Sequence, residues 1–363
     1  MNVAFVARKG NVEVLPEQLG LRGYSVQRIT SVLYKKLIEH KDKDVTIKLI
    51  ELGKGKTTFS RQLTMIPELL YHKMNKYDII HAPTPLPLKP LRLNNRAKVV
   101  TTSHGISSIN VNSPCYQLEH HNHDFSFRGA IAKRLASNQT LSSDFIIAVS
   151  SLTKKRIVEL GFDEDKVFVV NNGLDERFIN TQLPKKDKRK KKFVVGYLGP
   201  FYLNKNIIFA INAFKKIRDN DMIFEIWGKK TYEYQVLQKA AKEDKRIRFM
   251  GIAPERDLVK IYDRFDAFVY PTTCDQFPGS VMEAQSRGLP VVSFKYGEMS
   301  EESKKYCFEA EDEKNMAEII WDIKYNQLAD KLLPKITLYA KSFTSDRQAK
   351  ETLDVYKKVL AFE

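Results

Sequence analysis

The sequence predicts an α/β protein built from two doubly wound parallel-sheet units, and three observations carry that expectation. Short apolar runs alternate with helical periods almost throughout the chain. The alternation stops at a basic run, KKDKRKKK at 185–192, and then restarts. At 363 residues with 43% hydrophobic composition, the chain is larger than one core usually fills and has apolar mass enough for two.

In the first half the expected strands are Val3 to Ala7, Val45 to Leu52, Ile79 to Ala82, Val99 to Thr102, Phe145 to Val149 and Val167 to Val170. Helices fall between most of them. After the basic run the pattern resumes with FVVGYLG at 193–199. A helix follows from Asn206 to Ile217, its apolar positions at Ile207, Ile208, Ile211, Phe214 and Ile217. MIFEIWG, IRFMGI, AFVYP and LPVVSF are the later strands, and SDRQAKETLDVYKKVLA at the end has helical period. The expected domains are 1–180, a linker at 181–192 and 193–344.

Residues 275–283, DQFPGSVME, are the most informative stretch. They lie between two buried strands, so a helix must connect them. Gly279 and Ser280 open it, and Gly288 stops it at a left-handed cap. Asp275 then falls in the loop at the carboxyl end of the first strand, with Glu283 inside the helix. That edge of an open α/β sheet is where ligands bind. Amide groups at a helix start favour phosphate, and two carboxylates can accept from sugar hydroxyls. A nucleotide sugar fits both.

This segment resembles the E-x7-E signature of retaining glycosyltransferases of the GT4 group, with Asp275 where the first Glu usually stands. Residues 246–273, DFIIAVSSLTKKRIVELGF at 144–162, KVFVVNNGLDERF at 166–178 and RGYSVQRITSVLYKKL near the start follow the order of that family. The resemblance implies a GT-B fold, two Rossmann-like doubly wound domains facing a central cleft. It also implies a C-terminal helix, 345–363, that crosses back to the first domain.

The resemblance assigns roles residue by residue. Lys205 fits the family's lysine for the donor diphosphate, while Pro200 stands where an arginine belongs. Gly251 and Ile252 correspond to the segment that holds the nucleobase, with Gly228 on the same edge. Glu283 meets the ribose; Asp275 meets the transferred sugar together with the backbone of Phe277, Pro278, Gly279 and Ser280. His104 lies beside the donor sugar or acceptor. Gly23 lets backbone approach a phosphate closely. Each has a plainer reading as well. Lys205 is then an exposed first-turn lysine, Asp275 a cap of the next helix, His104 a structural histidine, and Gly23 an ordinary turn.

Net charge is +16, unevenly placed. Residues 1–180 carry 26 basic against 17 acidic side chains, whereas 193–363 carry 27 against 26. A basic first half fits an anionic partner: a phospholipid surface, a lipid-diphosphate acceptor or an acidic glycan. A solvated lysine-rich surface explains the same numbers. The apolar positions of PLPLKPLRLNNR at 85–96 could touch a membrane interface or form a buried connector. Nucleic acid is not expected, because no aromatic-interleaved recognition motif accompanies the basic excess. No apolar stretch is long enough to span a bilayer, and MNVAFVARKG reads as a strand rather than a secretory signal. Three cysteines without metal spacing suggest a reducing, cytoplasmic compartment.

Two motifs fail. GKGKTT at 53–58 lacks the first glycine of a P-loop, since position 50 is Ile50. His120, His121, His123 and Asp124 lack a zinc spacing. The expected reaction is metal-independent glycosyl transfer without a cofactor, from a nucleoside-diphosphate sugar to a glycan, lipid-linked or protein-linked hydroxyl. The alternatives are a sugar-nucleotide epimerase of the same fold and a non-catalytic basic binding protein.

Overall fold

The computed structural model describes residues 1–8, 25–52, 74–84, 96–105, 140–184 and 192–362. Two compact units result: Met1–Gly173 with Ser345–Glu363, and Leu174–Thr344.

The first unit contains β1 (Asn2–Arg8), β2 (Thr46–Leu52), β3 (Ile79–Ala82), β4 (Lys98–Ser103), β5 (Phe145–Ala148) and β6 (Val167–Val169). They form one parallel sheet in the order β2-β1-β3-β4-β5-β6. Alternate residues of β1 enter separate cores, Val3, Phe5 and Ala7 on one face, Ala4 and Val6 on the other. Both faces are therefore covered, which is why the strands read as continuous apolar runs. The helices Ser25–His40 and Ser345–Ala361 pack on each other, and Leu33, Leu37, Val355 and Val359 enter the core beside Phe5.

The second unit holds β7 (Phe193–Leu198), β8 (Met222–Trp227), β9 (Ile247–Gly251), β10 (Ala267–Tyr270), β11 (Val291–Phe294) and β12 (Cys307–Ala310). Their order is β12-β11-β10-β7-β8-β9, again all parallel. Chain order therefore reverses between β7 and β10, the adjacent pair registered as Val195 with Ala267. A crevice outside the carboxyl ends of such a pair is the usual ligand site of a doubly wound sheet.

The first unit's opening segment ends at Gly173, seven residues before the end expected at 180. Residues 174–180 belong to the second unit because Phe178 is buried in its core against the edge of Tyr262. The buried Arg287 then holds the carbonyls of Thr181 and Gln182 at 2.7 and 2.6 Å while pairing with Asp263. Most of the basic run lies outside the described residues.

Candidate functional site

The loops after β7 and β10 are tied together by Asn204, which is fully buried. Its carbonyl accepts from the Thr273 amide and from the Thr272 and Thr273 hydroxyls at 2.8, 2.8 and 3.2 Å. Its side-chain amide donates to the Cys274 carbonyl at 3.2 Å. The next residue is Lys205, at the end of the short turn Leu203–Lys205. Asp275 follows Cys274. Stitching the two loops at Asn204 brings both side chains to one point.

There the Lys205 ammonium lies 2.5 Å from Oδ2 of Asp275. The Tyr270 hydroxyl donates to the same oxygen at 2.6 Å. Lys205 is only 8% exposed, so it is not a solvated first-turn lysine. Nor does Asp275 cap the following helix, whose cap residue is Pro278 and has no side-chain bond.

That helix, Gly279–Ser286, begins as expected, and Gly288 beyond it has φ +72°. Among the described residues a Cβ on Gly279 would meet nothing within 4 Å, and the amino end of the helix has no side-chain cap. Such an end carries partial positive charge suited to an anion. Phe277 and Pro278 are buried, and the Phe277 ring packs on Phe343. Glu283 is 4% exposed, and its Oε2 accepts from the Tyr262 hydroxyl at 2.8 Å.

Two glycines of the same sheet edge have separate physical reasons. Gly228 follows β8 directly, where a Cβ would stand 1.9 Å from the Gly199 carbonyl oxygen. The β7 and β8 ends close on each other only because it has no side chain. Gly251 has φ +82°, a conformation that other residues rarely adopt, at an irregularity in the β8–β9 register. Ile252 beyond it is 39% exposed.

His104 belongs to the first unit, just after β4. Its Nε2 lies 3.0 Å from the Pro83 carbonyl, which makes that nitrogen the donor. Among the described residues Nδ1, which is buried, has no hydrogen-bond partner, leaving an acceptor. Burial lowers its pKa to about 4, partly opposed by the bond to Pro83. Behind it His81 is fully buried, with Nδ1 2.6 Å from the Tyr356 hydroxyl and Nε2 2.8 Å from Oγ1 of Thr102. Burial, then the charge of His104, holds His81 down at about 3.

Gly23, the 120–124 histidines, GKGKTT and most of the 85–96 segment lie outside the described residues. Among those described, Glu39, His40 and Asp346 form a group that could hold a metal, but the Lys36 ammonium is 2.9 Å from Glu39 and 3.2 Å from Asp346. That cation already neutralises the carboxylates. A cavity of about 440 Å³ lined by Arg218, Asn220, Glu243 and Arg246 sits at the amino end of β8, away from the strand ends that carry Lys205 and Asp275. Cys307 is a free thiol. No helix among the described residues is long and apolar enough to cross a membrane.

The residues that the sequence did not single out are Asn204, Tyr262, Tyr270 and His81. Tyr262, Tyr270 and His81 sit within or beside apolar runs and read as core. Asn204 was adjacent to Lys205 and carried no spacing of its own.

Comparison with known proteins gives two family models in tandem. One described as Glycosyltransferase Family 4 matches residues 15–178, and one described as Glycosyl transferases group 1 matches 192–324. The UDP-Gal:alpha-D-GlcNAc-diphosphoundecaprenol alpha-1,3-galactosyltransferase of Escherichia coli is 28% identical over 153 residues, 38% of this chain and 38% of that protein. The alignment thus spans well under half of that relative. Sucrose-phosphate synthase of Thermosynechococcus elongatus has a similar fold, with a TM-score of 0.76 at 15% identity over 99% of each chain. Alr3699/HepE of Anabaena, solved in complex with UDP-glucose, gives 0.69 at 16% identity over 99% of this chain and 100% of its own.

Proposed function

Because this chain belongs to the group 1, family 4 glycosyltransferases, with two Rossmann-like domains of the GT-B type, we propose that it transfers a glycosyl unit from a nucleoside-diphosphate sugar to a hydroxyl acceptor, with retention at the anomeric carbon. The observation that carries this reading is the meeting of Lys205 and Asp275 at the chain reversal of the second sheet. A buried cation and an uncapped helix start supply the positive charge that a diphosphate needs. A carboxylate beside them supplies an acceptor for sugar hydroxyls.

In this reading Lys205 and the amides of Gly279 and Ser280 take the diphosphate, Glu283 the ribose, and Gly251 with Ile252 the base. Asp275 takes a hydroxyl of the sugar. His104, neutral and with Nδ1 as acceptor, takes a hydroxyl of donor or acceptor. The glycosidic bond to the diphosphate breaks as the acceptor oxygen bonds to the anomeric carbon from the same face, and the acceptor proton passes to the departing diphosphate. Lys205 and the helix start stabilise the charge that develops there, so neither a metal ion nor a cofactor is needed.

Pro200 leaves no arginine in its loop. Lys229 and Lys230, exposed beyond Gly228, are the cations that take over that charge. Their segment is bonded to the Pro200 loop through the Thr231 hydroxyl and the Phe201 carbonyl. Uridine diphosphate is the first base to test, because the Escherichia coli relative is named for UDP-Gal and the Anabaena neighbour was solved with UDP-glucose. The basic first half fits an anionic acceptor, a lipid-linked diphosphate at the cytoplasmic membrane face or an acidic glycan. Nucleotide release should need acceptor and fall on Lys205→Ala. Rapid release without acceptor would favour an epimerase, and unchanged function in Lys205→Ala and Glu283→Ala a binding protein.

A further inference from the structure

We propose that Tyr270 is a positioning residue for Asp275: its hydroxyl, with the Lys205 ammonium, fixes one carboxylate oxygen so that the other is presented to a hydroxyl of the transferred sugar. The inference rests on the reading above, in which Asp275 meets the sugar.

Tyr270 closes β10 and is 3% exposed. Its ring is stacked on Tyr197, centroids 6.3 Å apart and planes 12° apart, and near-parallel to Phe268 at 6.4 Å. Core packing therefore sets the direction in which the hydroxyl points. A buried tyrosine hydroxyl takes a polar partner, and here the partner is the Asp275 carboxylate at 2.6 Å. Bonds of this length to an ionised acceptor are the strong, charge-assisted kind.

Both donors converge on Oδ2. Among the described residues Oδ1 accepts no hydrogen bond, and the Asp275 side chain keeps 22% of its surface open. A carboxylate has lone pairs enough for several donors. Two donors of fixed origin on one oxygen hold the plane of the group, and the second oxygen becomes an acceptor of defined direction. Tyr270 arrives from the strand and Lys205 from the neighbouring loop, so neither alone fixes that plane. Selectivity for the sugar over the bare nucleotide then depends on a residue that touches neither.

The test uses the full chain and calorimetric titration with UDP-glucose, UDP-galactose and UDP. Tyr270→Phe, Asp275→Asn and the double variant are compared with wild type. Tyr270→Phe should weaken the bound UDP-sugar about tenfold while changing UDP by less than about twofold. In the Asp275→Asn background the same change should have almost no effect, since the group it orients is altered already. Retained UDP binding shows that each variant is folded. Equal weakening of UDP and UDP-sugar, an unchanged UDP-sugar affinity, or additive losses in the double variant would overturn the role of Tyr270 alone. A wild-type chain that binds none of the three, nor any other nucleoside diphosphate or its sugar, would overturn the reading of the site and this inference with it.

Discussion

Lys205 and Asp275, 70 residues apart in the chain, meet at 2.5 Å where the strand order of the second sheet reverses. The Lys205 side chain is 10% exposed and that of Asp275 22%, so the pair is largely shielded from water. Removal of either charge leaves its partner uncompensated. Lys205→Ala should therefore lower transfer on the order of a hundredfold through lost charge stabilisation. It should also cost about 1–3 kcal/mol of stability, read from urea unfolding. Arginine is not an equivalent substitute, because a planar fork does not match a point contact in a tight turn.

Glu283 depends on Tyr262 as its hydroxyl donor at 2.8 Å. Tyr262→Phe removes that donor from a carboxylate only 4% exposed. The expected cost is about 1–3 kcal/mol in unfolding free energy. Weaker nucleoside-diphosphate binding should accompany it in calorimetry, whereas a stable variant with full affinity would remove Glu283 from the ribose site.

Gly228→Ala is expected to be worse than its size implies. The added carbon would lie 1.9 Å from a backbone oxygen, that of Gly199, which cannot rotate away. Overpacking of this kind costs about 1–3 kcal/mol or more. Gly279→Ala, with no described residue within 4 Å of its Cβ, should be tolerated by comparison. Thermal midpoints of the two variants give the contrast directly.

Stability should fall as the pH is lowered toward 4. His81 has its pKa moved from 6.5 to about 3 by burial, so between those values the unfolded chain binds a proton that the folded chain does not. The sign is therefore loss of stability on acidification, up to about 1.4 kcal/mol per pH unit from this group. His104 adds in the same direction. His81→Asn should be less stable at pH 7, with a shallower decline between pH 6.5 and 4 in urea titrations.

Buried strands were legible because parallel sheets write them as uninterrupted apolar runs: Ile79 to Ala82 coincides with the observed strand, and most others differ by a residue or two at their ends. The strand Cys307–Ala310 was not seen, since it is short, at the sheet edge and only partly buried. Asp275 and Glu283 stood out through their spacing around a helix start. Lys205 stood out only through the resemblance of its loop to the family's. What made the site was hidden: Asn204, Tyr270 and Tyr262 act through contacts made by distant parts of the chain, and nothing local marks a tyrosine at the end of an apolar run as a carboxylate's partner. The division at Leu174 has no local mark either, because Phe178 is claimed by Tyr262 far along the chain.

The most direct measurement is calorimetric titration of UDP into wild-type and Lys205→Ala protein with EDTA present. Saturable one-to-one binding to the wild type, weakened about tenfold or more by the substitution, is the predicted result. No binding to the wild type by UDP or any other nucleoside diphosphate, or equal affinity in both proteins, would contradict a diphosphate site built on Lys205.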